Sequence, residues 1–212
     1  MTEIPQIITG LQKSLSSHEF ILTGGTALSF QIKHRISKNI ELFTNKTFFN
    51  TNILLKKIAQ QGLSFTIQQE DEYSITLFIQ NIKTTFTYYP YPLIEKPVIK
   101  DEILMSDLLD IASNIIIEIC NKGQKKDFVD LFFILKQIPF EHIAQNAIKK
   151  YGKERINPLT IGKSLIYFAD ADLDPEVMYY EEPYPLWEDI KKFFIKNSKT
   201  MVYGLQGGIT PI

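Results

Sequence analysis

The stretch Phe20-Ile21-Leu22-Thr23-Gly24-Gly25-Thr26-Ala27-Leu28 decides how the rest of the chain is read. Three apolar residues run into a glycine pair, the pattern of a buried strand feeding a tight turn. Beyond it, Thr26 to Lys33 carries Leu28 and Ile32 on one face and predicts a helix. Backbone N–H groups at a helix N-terminus, with glycines allowing close approach, form a phosphate cradle, although such a turn also serves as an ordinary connection. The next segment, Asn39-Ile40-Glu41-Leu42-Phe43, alternates polar and apolar as a half-buried strand does. Asn39 and Glu41 stand at i and i+2 and share one face. Paired oxygen ligands beside a phosphate cradle are how an enzyme holds magnesium for phosphoryl or nucleotidyl transfer.

Outward from this segment the first half reads as mixed α and β. Asn52 to Gln61 has helical spacing with Gly62 as a C′ stop. Ser64 to Gln68, Tyr73 to Ile79 and Ile82 to Tyr89 predict strands, the last two joined at Asn81 as an antiparallel hairpin. Pro90, Pro92 and Pro97 hold the chain extended and mark a boundary, dividing it into an α/β domain (1–100) and a helical bundle (101–212). In the second half Ser106 caps a helix with the stripe Leu108, Ile111, Ile115 and Ile119. Further helices are predicted over Lys126–Gln137, Glu141–Tyr151, Pro158–Phe168 behind an Asn157 cap, and Pro185–Lys196.

Composition bounds the function. In 212 residues, 23 Lys and Arg against 24 Asp and Glu give a net charge of −1. That excludes a surface coated in basic residues but allows a local basic groove. A hydrophobic share of 44% predicts a globular chain with a sizeable core. One cysteine, Cys120, leaves no internal disulfide and no cysteine zinc cluster, so a reducing, cytoplasmic compartment is expected. The N-terminus lacks a basic stretch followed by an apolar run, so no signal peptide is expected, and no run is long enough to span a membrane.

Three groups of residues, read in order, resemble the AbiE-type (AbiEii/AbiGii) abortive-infection nucleotidyltransferase toxins. The first is Leu22 to Leu28, then His34-Arg35-Ile36-Ser37 and Asn39 to Phe43, similar to that family's GG-T turn, HR-x-S segment and Asp-x-Asp strand. The second is Tyr89-Pro90-Tyr91-Pro92-Leu93 followed by Lys125-Lys126-Asp127-Phe128-Val129-Asp130-Leu131. The third is Ser164 to Phe168 with Asp170-Ala171, and Trp187 with Lys191-Lys192-Phe193-Phe194. The resemblance implies an α+β fold: a polymerase-β-like nucleotidyltransferase domain with a small mixed sheet, followed by an all-α bundle. It also implies transfer of a nucleotide from an NTP, with Mg2+ or Mn2+, to a macromolecular acceptor such as tRNA or a protein, beside an antitoxin protein.

The departures fall where the chemistry belongs. The family's two metal-binding aspartates fall on Asn39 and Glu41. An amide oxygen brings no charge to a hard dication, and the glutamate is one methylene longer. The third carboxylate falls in Lys83-Thr84-Thr85-Phe86-Thr87, which has none, and a phosphate-neutralising lysine aligns on Ile115. On this reading the metal residues are Glu41 and Asn39, and Gly24, Gly25, Thr26, Arg35 and Ser37 bind the NTP. The plain alternatives are a helix cap for Thr26, a surface ion pair for Arg35 and a turn shaped by Ser37. Asp127 and Asp130, at i and i+3, orient the nucleotide site or a basic partner, or else stabilise a helix dipole. Either the chain is a weakly metal-holding nucleotidyltransferase, or it is a catalytically degenerate relative that binds nucleotide, RNA or protein. The lysines at 122, 125, 126, 149, 150 and 153, with Arg155, Tyr88, Tyr89 and Tyr91, can grip single-stranded nucleic acid or simply form solvated faces and core.

Overall fold

The segment around Glu41 becomes the middle strand of a seven-stranded sheet. The computed structural model describes residues 3–15, 20–46 and 49–206. Its strands are β1 (Ile21–Leu22), β2 (Ile40–Thr44), β3 (Phe65–Glu70), β4 (Ser74–Ile79), β5 (Ile82–Tyr88), β6 (Val98–Lys100) and β7 (Ile103–Met105). They are ordered β3-β4-β5-β2-β1-β7-β6, antiparallel except for the parallel β1–β7 and β2–β5 pairs. Helices α1 (Glu3–Ser14), α2 (Gly24–Ile32) and α3 (Thr51–Gln60) accompany this sheet.

The sequence expectations differ from this in definite ways. Helix α1 lies outside the predicted elements, although Ile4, Ile7, Ile8, Leu11 and Leu15 recur at helical spacing and are all buried. Its Gln12 explains how it docks: the amide donates to the carbonyls of Phe20 and Leu104 and accepts from the Leu104 N–H. Strands β6 and β7 follow the prolines, where the alternation is too short to predict a strand. Helix α2 begins at Gly24 rather than Thr26. The hairpin at Asn81 holds, with both Gln80 and Asn81 at positive φ (49° and 65°), as a tight turn between twisted strands requires. Gly62 closes α3 at φ 72°.

The chain forms two units. One contains 1–31, 37–92 and 96–106; the other contains 32–36, 93–95 and 107–212. The second holds α4 (Leu108–Lys122), α5 (Lys125–Leu135), α6 (Phe140–Tyr151), α7 (Pro158–Ser164), a 3₁₀ turn (Ala171–Leu173) and α8 (Trp187–Leu205). Its core is aromatic: Phe128 meets Phe168, Phe194 and Trp187 at 5.1, 5.5 and 5.9 Å between ring centres. Asp107, not Ser106, caps α4, its side chain accepting from the Leu109 N–H. The Asn157 cap with Pro158 at the first helical position opens α7 as expected, but that helix stops at Ser164. The last helix starts at Trp187 instead of Pro185 and runs nine residues past Lys196. Among the described residues no helix is long and apolar enough to cross a membrane.

Candidate functional site

Strand β2 explains why Glu41 stands out. Ile40, Leu42, Phe43 and Thr44 are all buried, and only Glu41 keeps partial exposure. A carboxylate in the middle strand of a sheet has a desolvation cost that packing alone does not explain. The register then fixes its neighbours. Leu22 pairs with Leu42, so the next residue, Thr23, donates its N–H to the Glu41 carbonyl at 2.9 Å. Residue 41 therefore lies level with the start of the glycine turn.

Gly24 sits at φ 67°, a left-handed conformation that side chains disfavour. A Cβ there would also lie within 2.0 Å of Glu41 Oε2 and 3.0 Å of its Cδ. Glycine is thus required twice, by the backbone and by the carboxylate packed against it. The elbow and the strand carrying Glu41 do meet.

The remaining predicted site residues have definite places. Thr26 is buried, and its hydroxyl bonds the Asn39 carbonyl and, at 2.7 Å, the Ser37 hydroxyl. It fastens the 37–39 segment to α2 rather than presenting its hydroxyl to solvent. Asn39 itself is exposed and lies just outside β2.

Across the sheet, Glu41 pairs with Thr85 of β5, and Thr85 pairs with Thr76 of β4, the two threonine hydroxyls 3.1 Å apart. The position beside Glu41 where a second strand carboxylate would stand is therefore Thr85. The sequence places that gap in the strand without naming the residue, because parallel register leaves no trace in a single sequence. Ile115 lies in the core of α4 at 3% exposure.

In the helical unit, Arg35 and Asp130 are given to each other. Arg35 Nε and Nη2 meet Asp130 Oδ1 and Oδ2 at 2.5 and 2.7 Å, and His34 Nε2 meets Oδ1 at 2.6 Å. All three side chains are buried. Burial pushes the Asp130 carboxyl up, but the Arg35 charge and the bonds from His34 and Arg35 outweigh it and hold it below the usual carboxylate range. The His34 Nδ1 atom is buried without a hydrogen-bond partner.

Asp127 closes a capping box at the start of α5, accepting from the Gln124 N–H at 3.0 Å. Burial pushes its carboxyl up to about 6. Two of the lysines read as a basic patch are interior. Lys125 bonds the Asp174 carbonyl and Glu176, and Lys150 pairs with the fully buried Asp110 at 2.9 Å. Asp110 also accepts the N–H groups of Ile94 and Glu95, which fastens the proline-rich segment; nothing in the sequence marks it. Tyr89 packs on Phe43 and Tyr91 at 5.8 and 5.0 Å.

The donor set fits a pair of divalent cations poorly. Glu41 is the one anion in the row Glu41–Thr85–Thr76, and hard dications with oxygen ligands are normally held by several charges. Among the described residues no group of three or more His, Cys, Asp or Glu side chains is placed to hold a metal ion.

A mixed sheet with a glycine turn facing its central strand, continued by a helical unit, is a nucleotidyltransferase fold, and solved structures share it. JHP933 from Helicobacter pylori superposes with a TM-score of 0.58 at 16% identity, covering 95% of this chain and 91% of that one. The nucleotidyltransferase toxin MenT4 from Mycobacterium tuberculosis H37Rv gives a TM-score of 0.57 at 13% identity over 92% and 85%. In sequence, the chain is 31% identical over 186 residues to the uncharacterized protein aq_aa25 of Aquifex aeolicus (strain VF5), covering 86% of this chain and 87% of that one. It belongs to the family of that protein. No family model matches it.

Proposed function

We propose that this chain is a nucleotide-binding member of the AbiE-type toxin kind that has lost most of the family's catalytic donors. A nucleoside triphosphate binds at the Gly24–Gly25 turn, where the backbone N–H groups opening α2 receive its phosphates and the helix dipole favours their charge. The observation that carries this reading is the row Glu41–Thr85–Thr76, which offers one carboxylate beside the turn where two-ion catalysis wants several. Binding at the turn does not depend on a cation held by Asn39 and Glu41, whose single charge suits Mg2+ or Mn2+ poorly. Arg35 and Asp130, engaged with each other, and Asp127, engaged in its capping box, support the fold and lie outside the proposed chemistry. Ser37 acts through Thr26.

A second reading is favoured by one fact: Glu41 stands directly against the turn. On that reading the chain still transfers a nucleotide, slowly, to a tRNA or protein acceptor, under the control of an antitoxin in the cytoplasm.

Wild type is incubated with labelled NTPs, Mg2+ or Mn2+, and total tRNA or cell protein. The first reading expects no transfer by wild type and a gain in Asn39→Asp/Thr85→Asp. Transfer by wild type that Glu41→Ala abolishes establishes the second. Ligand binding is read separately from thermal stability: a ligand at 100 times its Kd stabilises by about 2.7 kcal/mol. An unchanged melt at millimolar ATP, GTP, CTP and UTP overturns both readings.

A further inference from the structure

The Glu41 carboxylate packs against the glycine turn. Both Glu41 carboxylate oxygens and their carbon lie within 3.6 Å of the point that a Cβ on Gly24 would occupy, and the nearer oxygen lies at 2.0 Å. The carboxylate therefore rests on the first residue of α2. That helix has no acidic residue in its own first turn, so the charge that faces its N-terminus comes from β2. Three features of the chain bring this about. The β1–β2 register sets residue 41 level with Thr23. Gly24 leaves open the volume that any side chain would fill. Glutamate, one methylene longer than aspartate, has the reach to enter it.

The geometry points to Glu41 as a displaceable internal anion: its carboxylate occupies the end of the turn where phosphate would sit, and it must withdraw before a triphosphate can bind. This rests on the proposal that the turn is the nucleotide site. A carboxylate and a phosphate at one helix N-terminus repel each other, and the N–H groups there cannot serve both fully. The expected consequence is opposite in sign to that of a metal ligand. Removing a cation ligand weakens nucleotide binding, whereas removing a resident anion strengthens it.

Binding of inorganic tripolyphosphate and of ATP is measured by calorimetry on the full chain as wild type, Glu41→Gln and Glu41→Ala, without metal and with magnesium. Both variants are expected to bind about tenfold more tightly than wild type at low ionic strength, the difference narrowing as salt screens it. Glu41→Gln keeps the length and hydrogen-bonding capacity of the side chain, so it reports the charge even if Glu41→Ala fails to fold. Weaker binding by the variants identifies Glu41 as a cation ligand and overturns the inference. Equal affinity across the three proteins overturns it too and leaves the nucleotide site standing. Binding by none of them, with unchanged melting temperatures, removes the nucleotide site and this inference together.

Discussion

Replacing Asp130 by asparagine should be among the most damaging single substitutions in the helical unit. The carboxylate receives both prongs of the Arg35 fork and the His34 Nε2 contact, with side-chain exposures of 3%, 7% and 0% for Asp130, Arg35 and His34. Asparagine at this position would keep the shape and remove the charge, leaving a guanidinium buried with a neutral partner. Breaking a buried pair from one side costs about 3–5 kcal/mol, a large fraction of the roughly 5–15 kcal/mol that holds a domain together. The assay is urea unfolding followed by Trp187 fluorescence. Trp187 is the sole tryptophan and packs against Phe128 and Phe168, so its signal reports this unit. The double variant Asp130→Leu/Arg35→Met should recover most of the loss, because an apolar replacement of both partners removes the stranded charge. The pH dependence follows from the sign of the shift. A carboxyl held below its unfolded value gives stability that is complete above about pH 4 and is lost as acid titrates it in the fold. The gap between wild type and Asp130→Asn should therefore close as pH falls below about 4. A loss under about 1 kcal/mol, or a double variant as unstable as the sum of the singles, would refute the reasoning.

Asp127 behaves oppositely: its carboxyl is raised to about 6, so the fold prefers it protonated and loses stability as pH rises from about 4 to 6. Asp127→Asn, which keeps an oxygen for the Gln124 N–H, should raise the melting temperature at pH 7.5 and leave it unchanged at pH 4. Gly24→Ala should lower stability by about 1–3 kcal/mol through its positive φ and the contact with Glu41, and Gly24→Ala/Glu41→Ala should recover part of that in thermal melts. Thr26→Val should cost about 1–2 kcal/mol, since the Asn39 carbonyl and the Ser37 hydroxyl both lose a partner, and exchange of the 37–39 amides should quicken.

Local pieces are legible in the sequence where a single residue type dictates geometry. Gly24, the hairpin at Asn81, the Gly62 stop and the Asn157-Pro158 cap all stand where their backbone chemistry places them. Pairing is less legible. That β2 lies mid-sheet, with Thr85 and not an acid beside Glu41, depends on a parallel register set by residues far apart in the chain. Helix α1 is written in the apolar spacing from Ile4 to Leu15, but only once those residues are counted as core. Charge is the least legible feature. Lys125 and Lys150 read as surface cations because their partners, Asp174, Glu176 and Asp110, lie 40 to 51 residues away in sequence. Arg35 reads as a phosphate ligand for the same reason, its partner lying 95 residues on.

The stranded nitrogen of His34 fixes which way that ring is written. Of the two neutral tautomers, only the one with hydrogen on Nε2 donates to Asp130 and leaves a bare lone pair, rather than an N–H, on Nδ1 in the interior. An N–H without an acceptor is the costlier orphan, which favours that tautomer of the neutral ring. In a ¹⁵N-labelled sample the neutral form of this ring should show a protonated Nε2 coupled to a carboxylate and an imine-type Nδ1. That gives the helical unit a spectroscopic marker of its own packing, visible without any ligand.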